Sequence, residues 1–361
     1  MTLPTWQVNG KTFTNKLGAI VESSNGKNPI HFDFYDRAFL DYDWAHDDLE
    51  TFDSILTRRC KQLREKYNYI RLFYSGGHDS HTMLLSFLKS NTHIDEIVIN
   101  IYSYWQTKQS EVTDEYTKNH PLNREQFRAA IPFVKKITGN IPRTKITIEQ
   151  MSGHYLNSSD NFMSSIQSNC MDITVDKMLH RKMLFNHSDI PNSVNVNGAE
   201  KPHLKKIDGR YFWYMLDNDI IGQATHDTST EMFYITPDMP ELHRKQCHIM
   251  MHWIKSNYPK ADNIDFLNGI QDDQIRQSLN DYIRWPLWHN ESNIGLGKKV
   301  ISKQDPIAGI AADEKTLQTL KITKIKNLME DARNKIGHLS TDPKSNYFFA
   351  PCFSYKYYVG Q

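Results

Sequence analysis

Cysteine is scarce. The chain has four in 361 residues, Cys60, Cys170, Cys247 and Cys352, spaced too widely for a redox CxxC or a paired zinc motif and too few for a disulfide framework. No run approaches the roughly 18 apolar residues of a membrane helix. The opening Met1-Thr2-Leu3-Pro4-Thr5-Trp6 has no basic stretch followed by an apolar one. Neither a membrane partner nor a secretory route is therefore expected, and a reducing cytoplasm is the expected compartment. An excess of one charge is also missing: 43 Lys plus Arg against 42 Asp plus Glu give +1. No global field draws the chain onto nucleic acid or anionic lipid, although a local basic patch is still allowed. Low-complexity linkers and fixed-period repeats are absent. Aromatic residues are plentiful at 12%, and 39% hydrophobic residues at this length suffice for one large or two modest domains.

Residues 1–45 read as a small β-rich or irregular lead-in, with turn signals at Asn9-Gly10 and Asn25-Gly26. From Asp47 to Lys66, Phe52, Ile55, Leu56, Cys60 and Leu63 recur at three- and four-residue steps, which predicts a helix with one buried face. Tyr69 to Tyr74 is a β-branched and aromatic run that stops at Ser75-Gly76-Gly77, after which Met83, Leu84, Phe87 and Leu88 resume helical spacing. Further strands are expected at Glu96–Tyr102, Arg143–Glu149, Ser193–Asn197 and Tyr211–Leu216. Helical patterns fall at Phe127–Ile137, where Pro132 kinks or restarts the helix, and at Val175–Met183. Five strands alternating with helices predict an α/β fold with a doubly wound parallel sheet and ligands at the strand carboxyl ends. Beyond Thr236 the pattern turns helical, at Leu242–Trp253, Ile275–Trp285 and Leu317–Ile336, and an aromatic tail, Asn346–Tyr358, is expected to dock on the body. The resulting division is a lead-in (1–45), an α/β domain (46–235) and a mainly helical region with the tail (236–361).

Ser75-Gly76-Gly77-His78-Asp79-Ser80 lies where the first strand hands over to a helix, a place suited to an anion. Two glycines admit close approach of the main chain, Ser75 and Ser80 add hydroxyls, and the helix N-terminus adds partial positive charge. The string lacks the Lys of a Walker loop and the spacing of GxGxxG. The plain alternative is a glycine turn followed by a helix that Asp79 or Ser80 caps.

The hexapeptide resembles the SGGxDS signature of the PP-loop, or N-type ATP pyrophosphatase, superfamily, to which the synthetase domain of asparagine synthetase, NAD synthetase and the lysidine synthetases belong. With Leu63–Tyr67 before the strand, and Ser86–Leu88 followed by Asp95–Ile97 after the helix, the chain looks like the asparagine synthetase-like PP-loop proteins of tailed phages over about residues 50–220. The resemblance implies a Rossmann-like, adenine nucleotide alpha hydrolase-like sheet that binds ATP and Mg²⁺ and cleaves ATP to AMP and pyrophosphate. It implies that Ser75, Gly76, Gly77 and Ser80 hold the β and γ phosphates and that Asp79 orients the loop or a Mg²⁺ ion. His78, at the variable position, would add a phosphate contact.

After the fourth expected strand, Asn195-Val196-Asn197-Gly198-Ala199-Glu200-Lys201-Pro202 should face the same crevice. Glu200 is a candidate for Mg²⁺ or for positioning a nucleophile, and Lys201 for neutralising phosphate charge, against the alternative of a solvated turn. Asp217 and Asp219 are further candidate ligands. His243, Cys247, His248 and His252 recur at four-residue spacings that can put ligand pairs on one helix face, although packed and polar histidines are the commoner outcome. Gly295–Lys299 is a candidate anion-binding turn, and Trp285-Pro286-Leu287-Trp288 reads as core.

The expected function is an adenylating ligase of the asparagine synthetase-like kind, activating a carboxylate, amide or nucleobase carbonyl for attack by an amine or ammonia. Residue 2 is Thr, so ammonia or amine must come free or from a separate donor. The second glycine-rich acidic motif of true asparagine synthetases is missing, which leaves asparagine itself in doubt. A polynucleotide substrate, if used, would be gripped locally, given the net charge. The alternatives are a sulfotransfer or phosphoadenylyl sulfate reductase-like enzyme, disfavoured by the scattered cysteines, and a module that binds nucleotide without cleaving it.

Overall fold

The computed structural model of the chain describes residues 4–14, 16–23, 28–103, 123, 125–152, 190–198, 201–217, 230–257, 264–265, 287 and 352–361. Strands β1 (Thr5–Val8), β2 (Lys11–Phe13) and β3 (His31–Asp33) form a small antiparallel sheet, with α1 (Lys16–Glu22) between β2 and β3 and α2 (Asp36–Phe39) after it. The β1–β2 turn is Asn9-Gly10, with φ of 51° and 74°. Two successive left-handed residues are what a two-residue hairpin requires, and Asn-Gly supplies them at least strain.

Helix α3 (Phe52–Lys66) begins five residues later than its spacing starts, because Thr51 caps it, its hydroxyl accepting from Ser54 N at 3.3 Å. It buries Ile55, Leu56, Arg59, Cys60 and Leu63. Strand β4 (Tyr69–Phe73), α4 (His78–Lys89), β5 (Glu96–Ser103), α5 (Ile131–Ile137), β6 (Lys145–Ser152), β7 (Ser193–Asn197) and β10 (Thr230–Met232) build the main sheet. A π-helical turn, Gln126–Ala130, runs directly into α5, with Ile131 N donating to Gln126 O and Pro132 just past the junction, so the helix changes its winding there. The five strands are all parallel, in the order β10-β7-β4-β5-β6. Central β4 is buried on both faces and carries Ile70 and Leu72 in the core.

One strand expectation is overturned. Tyr211–Leu216 was expected as the fifth parallel strand, but Arg210–Tyr214 is β9, paired antiparallel with β8 (His203–Ile207) across an Asp208-Gly209 turn with φ of 48° and 76°. A parallel neighbour needs a crossover of about a dozen residues or more, and here the interval is filled by the partner strand of a hairpin. Thr230–Met232 takes the fifth place. The β8–β9 hairpin is extended by β11 (Ile264–Asp265) and by β12 (Tyr357–Gly360), giving a second sheet of order β11-β8-β9-β12.

Beyond the main sheet, α6 (Pro240–Asn257) matches the first of the expected C-terminal helices. The other two, and the helix expected at Val175–Met183, lie outside the described residues. The tail docks as expected where it is described, with Tyr357 stacked on Trp213 at 4.5 Å between ring centroids. It also closes onto the lead-in: Phe32 N donates to Phe353 O at 3.0 Å, and the Tyr357 hydroxyl donates to Asp36 Oδ1 at 2.9 Å. No helix among the described residues is long and apolar enough to cross a membrane.

Candidate functional site

The chain turns from β4 into α4 through Tyr74, Ser75, Gly76 and Gly77. Tyr74 N donates to Val98 O at 2.8 Å and its hydroxyl lies 2.8 Å from His81 Nδ1, which fixes the start of the turn. Gly76 has φ +88°. A Cβ there would stand 2.7 Å from both Ala130 N and Glu125 O, so the backbone around the π turn packs directly on the glycine. Gly77 is the N-cap of α4, with φ −72° and ψ 162°, so the helix has no capping side chain. Asp79 and Ser80, the residues that a plain capped turn would use, lie inside the helix.

The turn's hydroxyls form a closed circuit. Ser75 N donates to Ser80 Oγ at 3.2 Å, Gly77 N donates to Ser75 Oγ at 3.2 Å, and Ser80 Oγ donates to Gly77 O at 3.1 Å. With that hydrogen spent, the 3.0 Å contact between the two hydroxyls has Ser75 as donor. A ligand oxygen entering the turn would have only to redirect the Ser75 hydroxyl.

The second candidate segment meets the first. Strands β4 and β7 are neighbours, with β5 and β6 on one side and β10 on the other, so the order reverses between them. Such a reversal opens a crevice at the strand carboxyl ends. A Cβ on Gly198, just past β7, would lie 3.0 Å from Ser80 Cα and 3.2 Å from Asp79 O. Lys201 is fully buried and its ammonium pairs with the Asp79 carboxylate, which is 26% exposed. The same ammonium lies 4.1 Å from the centroid of Tyr234, whose hydroxyl donates to Asp79 O at 2.7 Å. Burial, with Asp79 beside it, pushes the Tyr234 phenol well above its ordinary range, so it remains a donor. Glu200 lies outside the described residues. His78 opens α4, half-buried.

Two neighbours of this site carry no motif of their own. Tyr234 sits in the apolar run Phe233-Tyr234-Ile235, where nothing in the sequence separates it from core. Glu125 precedes the π turn, and its carboxylate oxygens would lie 2.9 and 3.3 Å from a Cβ on Gly77. An acidic group bordering a phosphate-type turn repels an anion unless a cation stands between them. Carboxylates such as those of Asp79 and Glu125 are the hard oxygen donors that Mg²⁺ takes.

The remaining candidates go elsewhere. Asp217 is spent on structure: Oδ2 takes Lys16 at 2.8 Å and Trp6 Nε1 at 2.9 Å, and Oδ1 accepts from Cys352 N at 3.0 Å. Asp219, Gly295–Lys299 and the Trp-Pro-Leu-Trp string lie outside the described residues, apart from the buried Leu287. His243 is buried and accepts from Thr236 N at 2.8 Å, while His248 and His252 both face Asp47. Burial pushes the thiols of Cys60 and Cys352 up to about 12 and that of Cys247 well above its ordinary value, so none of the three is a ready nucleophile. Cys170 lies outside the described residues.

No family model matches the sequence, and no curated protein or solved structure matches it. The local chemistry is therefore the guide to function: a glycine turn whose Ser75 and Gly77 amides are held by its own hydroxyls, two carboxylates beside it, and a buried lysine locked to one of them.

Proposed function

We propose that the chain is an ATP-dependent adenylating enzyme of the PP-loop kind, built on a Rossmann-like nucleotide-binding sheet. Its reaction converts ATP to AMP and pyrophosphate and activates a carboxylate, amide or nucleobase carbonyl for C–N bond formation with an amine or ammonia. One arrangement supports this reading above the others: a glycine turn without a capping side chain stands at the reversal of strand order, with Lys201 from the neighbouring strand's end fastened to Asp79.

Mg²⁺, when bound, would supply charge neutralisation for the departing pyrophosphate. The residues fit such a group, since the absence of a side chain at Gly77 lets the Glu125 carboxylate approach the turn and Asp79 and Glu125 offer oxygen ligands. Ser75 turns its hydroxyl outward to the phosphate, and the first-turn dipole of α4 favours the negative charge. Lys201 and Tyr234 act as positioning residues that hold Asp79 from its two ends, carboxylate and carbonyl.

Two rivals make different demands. Sulfur transfer needs an accessible thiolate, and the three described cysteines are buried with raised pKa values. A binding module would hold ATP without cleaving it. Substrate-dependent exchange of labelled pyrophosphate into ATP separates the readings. Exchange with at least one carboxylate, amide or nucleobase acceptor, abolished in Gly77→Ala, is the expected result. ATP binding with no exchange across a broad acceptor panel would select the module.

A further inference from the structure

Helix α6 carries His248 and His252 four residues apart, on one face, with ring centroids 6.2 Å apart. Asp47, from the segment before α3, meets them at the surface. Its Oδ2 lies 2.8 Å from His252 Nε2 and 3.9 Å from His248 Nδ1, and one ligand atom from each of the three residues falls within 4.8 Å of the others.

The decisive group is His248, which is 2% exposed. Its Nε2 lies 2.9 Å from the Trp44 carbonyl oxygen, which can only accept, so the hydrogen of the neutral ring is on Nε2. Nδ1 then presents a bare lone pair, and this buried atom has no hydrogen-bond partner. What it faces is the carboxylate of Asp47, another lone-pair donor. Two acceptors aimed at each other across 3.9 Å repel unless a positive centre lies between them.

We propose that Asp47, His248 and His252 form a binding site for one divalent transition-metal ion of the zinc class, separate from the phosphate turn. The edge of a tetrahedron with ligands at about 2.0–2.1 Å is about 3.3 Å, and the two spacings from Asp47 bracket it. Two imidazoles and one carboxylate suit Zn²⁺ rather than Mg²⁺, which prefers oxygen alone. The Trp44 carbonyl plays the outer partner that orients a ligating histidine through its second ring nitrogen. Lys245 stands on the far oxygen, Oδ1, at 3.5 Å and donates to Asp48 O at 2.6 Å, which leaves Oδ2 to the metal. With the His252 side chain 56% exposed, the fourth position opens to solvent. The ion would pin the segment around Asp47 to α6.

The test uses the full chain, free of any tag and stripped of metal. Zn²⁺ is titrated against a chromophoric chelator, and Co²⁺ is added separately to read its visible absorption. One equivalent of Zn²⁺ is expected, with the intense Co²⁺ bands of a four-coordinate site. His252→Ala should weaken Zn²⁺ binding at least about tenfold and remove those bands, Asp47→Ala should do the same, and His46→Ala should change neither. Because His252 is largely exposed, its replacement leaves the fold intact, as circular dichroism would verify. Absence of saturable Zn²⁺ binding, or the same affinity and spectrum in folded His252→Ala, would overturn the proposal. Gly77→Ala should leave Zn²⁺ binding unchanged, so failure of the nucleotide reading and failure of the metal reading are distinguishable.

Discussion

Lys201 and Asp79 are 122 positions apart and share an ion pair of unequal burial: the ammonium is wholly enclosed, whereas the carboxylate keeps 26% of its surface. The two ends of the pair should therefore respond differently to removal. Asp79→Ala removes the carboxylate from a buried cation and should cost about 3–5 kcal/mol in urea unfolding at pH 7, cushioned by the Tyr234 ring. Lys201→Met leaves a carboxylate that water can reach and should cost clearly less. Equal losses would show that the pair is not the asymmetric lock described.

The two glycines of the turn separate fold from ligand binding. Gly76→Ala places a Cβ in the left-handed region and 2.7 Å from main-chain atoms, which should cost about 2 kcal/mol or more. Gly77→Ala has an ordinary φ and meets only the mobile end of Glu125, so its stability should stay within about 1 kcal/mol of the parent. Its ATP affinity should nevertheless fall at least about tenfold by calorimetry, because the methyl fills the space a phosphate needs. Unchanged ATP binding would remove the turn from consideration.

On the proposed function, Glu125 should make nucleotide binding depend on the cation. Without Mg²⁺ its charge opposes the phosphates, so Glu125→Gln should bind ATP more tightly than the parent chain. With saturating Mg²⁺ the order should reverse, the carboxylate having become a ligand. Titrations with and without EDTA would reveal the crossover, and parallel curves would exclude Glu125 from the site.

Acid should unfold the chain through His243. Burial, reinforced by the Arg59 charge, lowers its pKa from 6.5 to about 3. Between those values the unfolded chain binds the proton and the native state does not, so stability is full above pH 6.5 and falls as pH drops toward 3. The slope from this group is about 1.4 kcal/mol per pH unit. Below pH 4.5 Glu231 adds to the loss: burial raises its carboxyl pKa, but Arg59, Lys66 and the Tyr67 hydroxyl bring it below the ordinary value. Its contribution is present above the unfolded pKa and disappears as pH falls through the folded one. His243→Gln, which keeps an acceptor for Thr236 N, should flatten the denaturation midpoint between pH 6.5 and 4.5. An unaltered slope would assign acid sensitivity elsewhere.

Local signals in the sequence carried the first four parallel strands, and tertiary pairing carried what was missed. Ser193–Asn197 is legible because Val194 and Val196 alternate with polar residues at the two-residue period of a strand. Thr230–Met232 is invisible, since three residues containing a glutamate resemble an edge only when Arg59 is brought to Glu231 at 2.9 Å by a helix 172 positions away. The β8–β9 hairpin did announce itself, through Asp208-Gly209, and an Asp-Gly pair between an alternating run, His203–Ile207, and an aromatic one, Arg210–Tyr214, outweighs the reading of Tyr211–Leu216 as a crossover strand. At the site, the glycine turn stands out because its chemistry is contiguous. Glu125 and Tyr234 do not, because each reaches the turn only through the packing of the π turn and of the segment after β10.

Strand β12 has a consequence for how the chain is made. Tyr357 lies on Trp213, which in turn packs against Trp44 and Phe39, and the same strand lies beside β9. Until residues 352–361 leave the ribosome, this aromatic cluster is a hydrophobic face bathed in water. Early termination upstream of Cys352 should accordingly yield not a smaller folded chain but a sticky product that captures hydrophobic dye and chaperones.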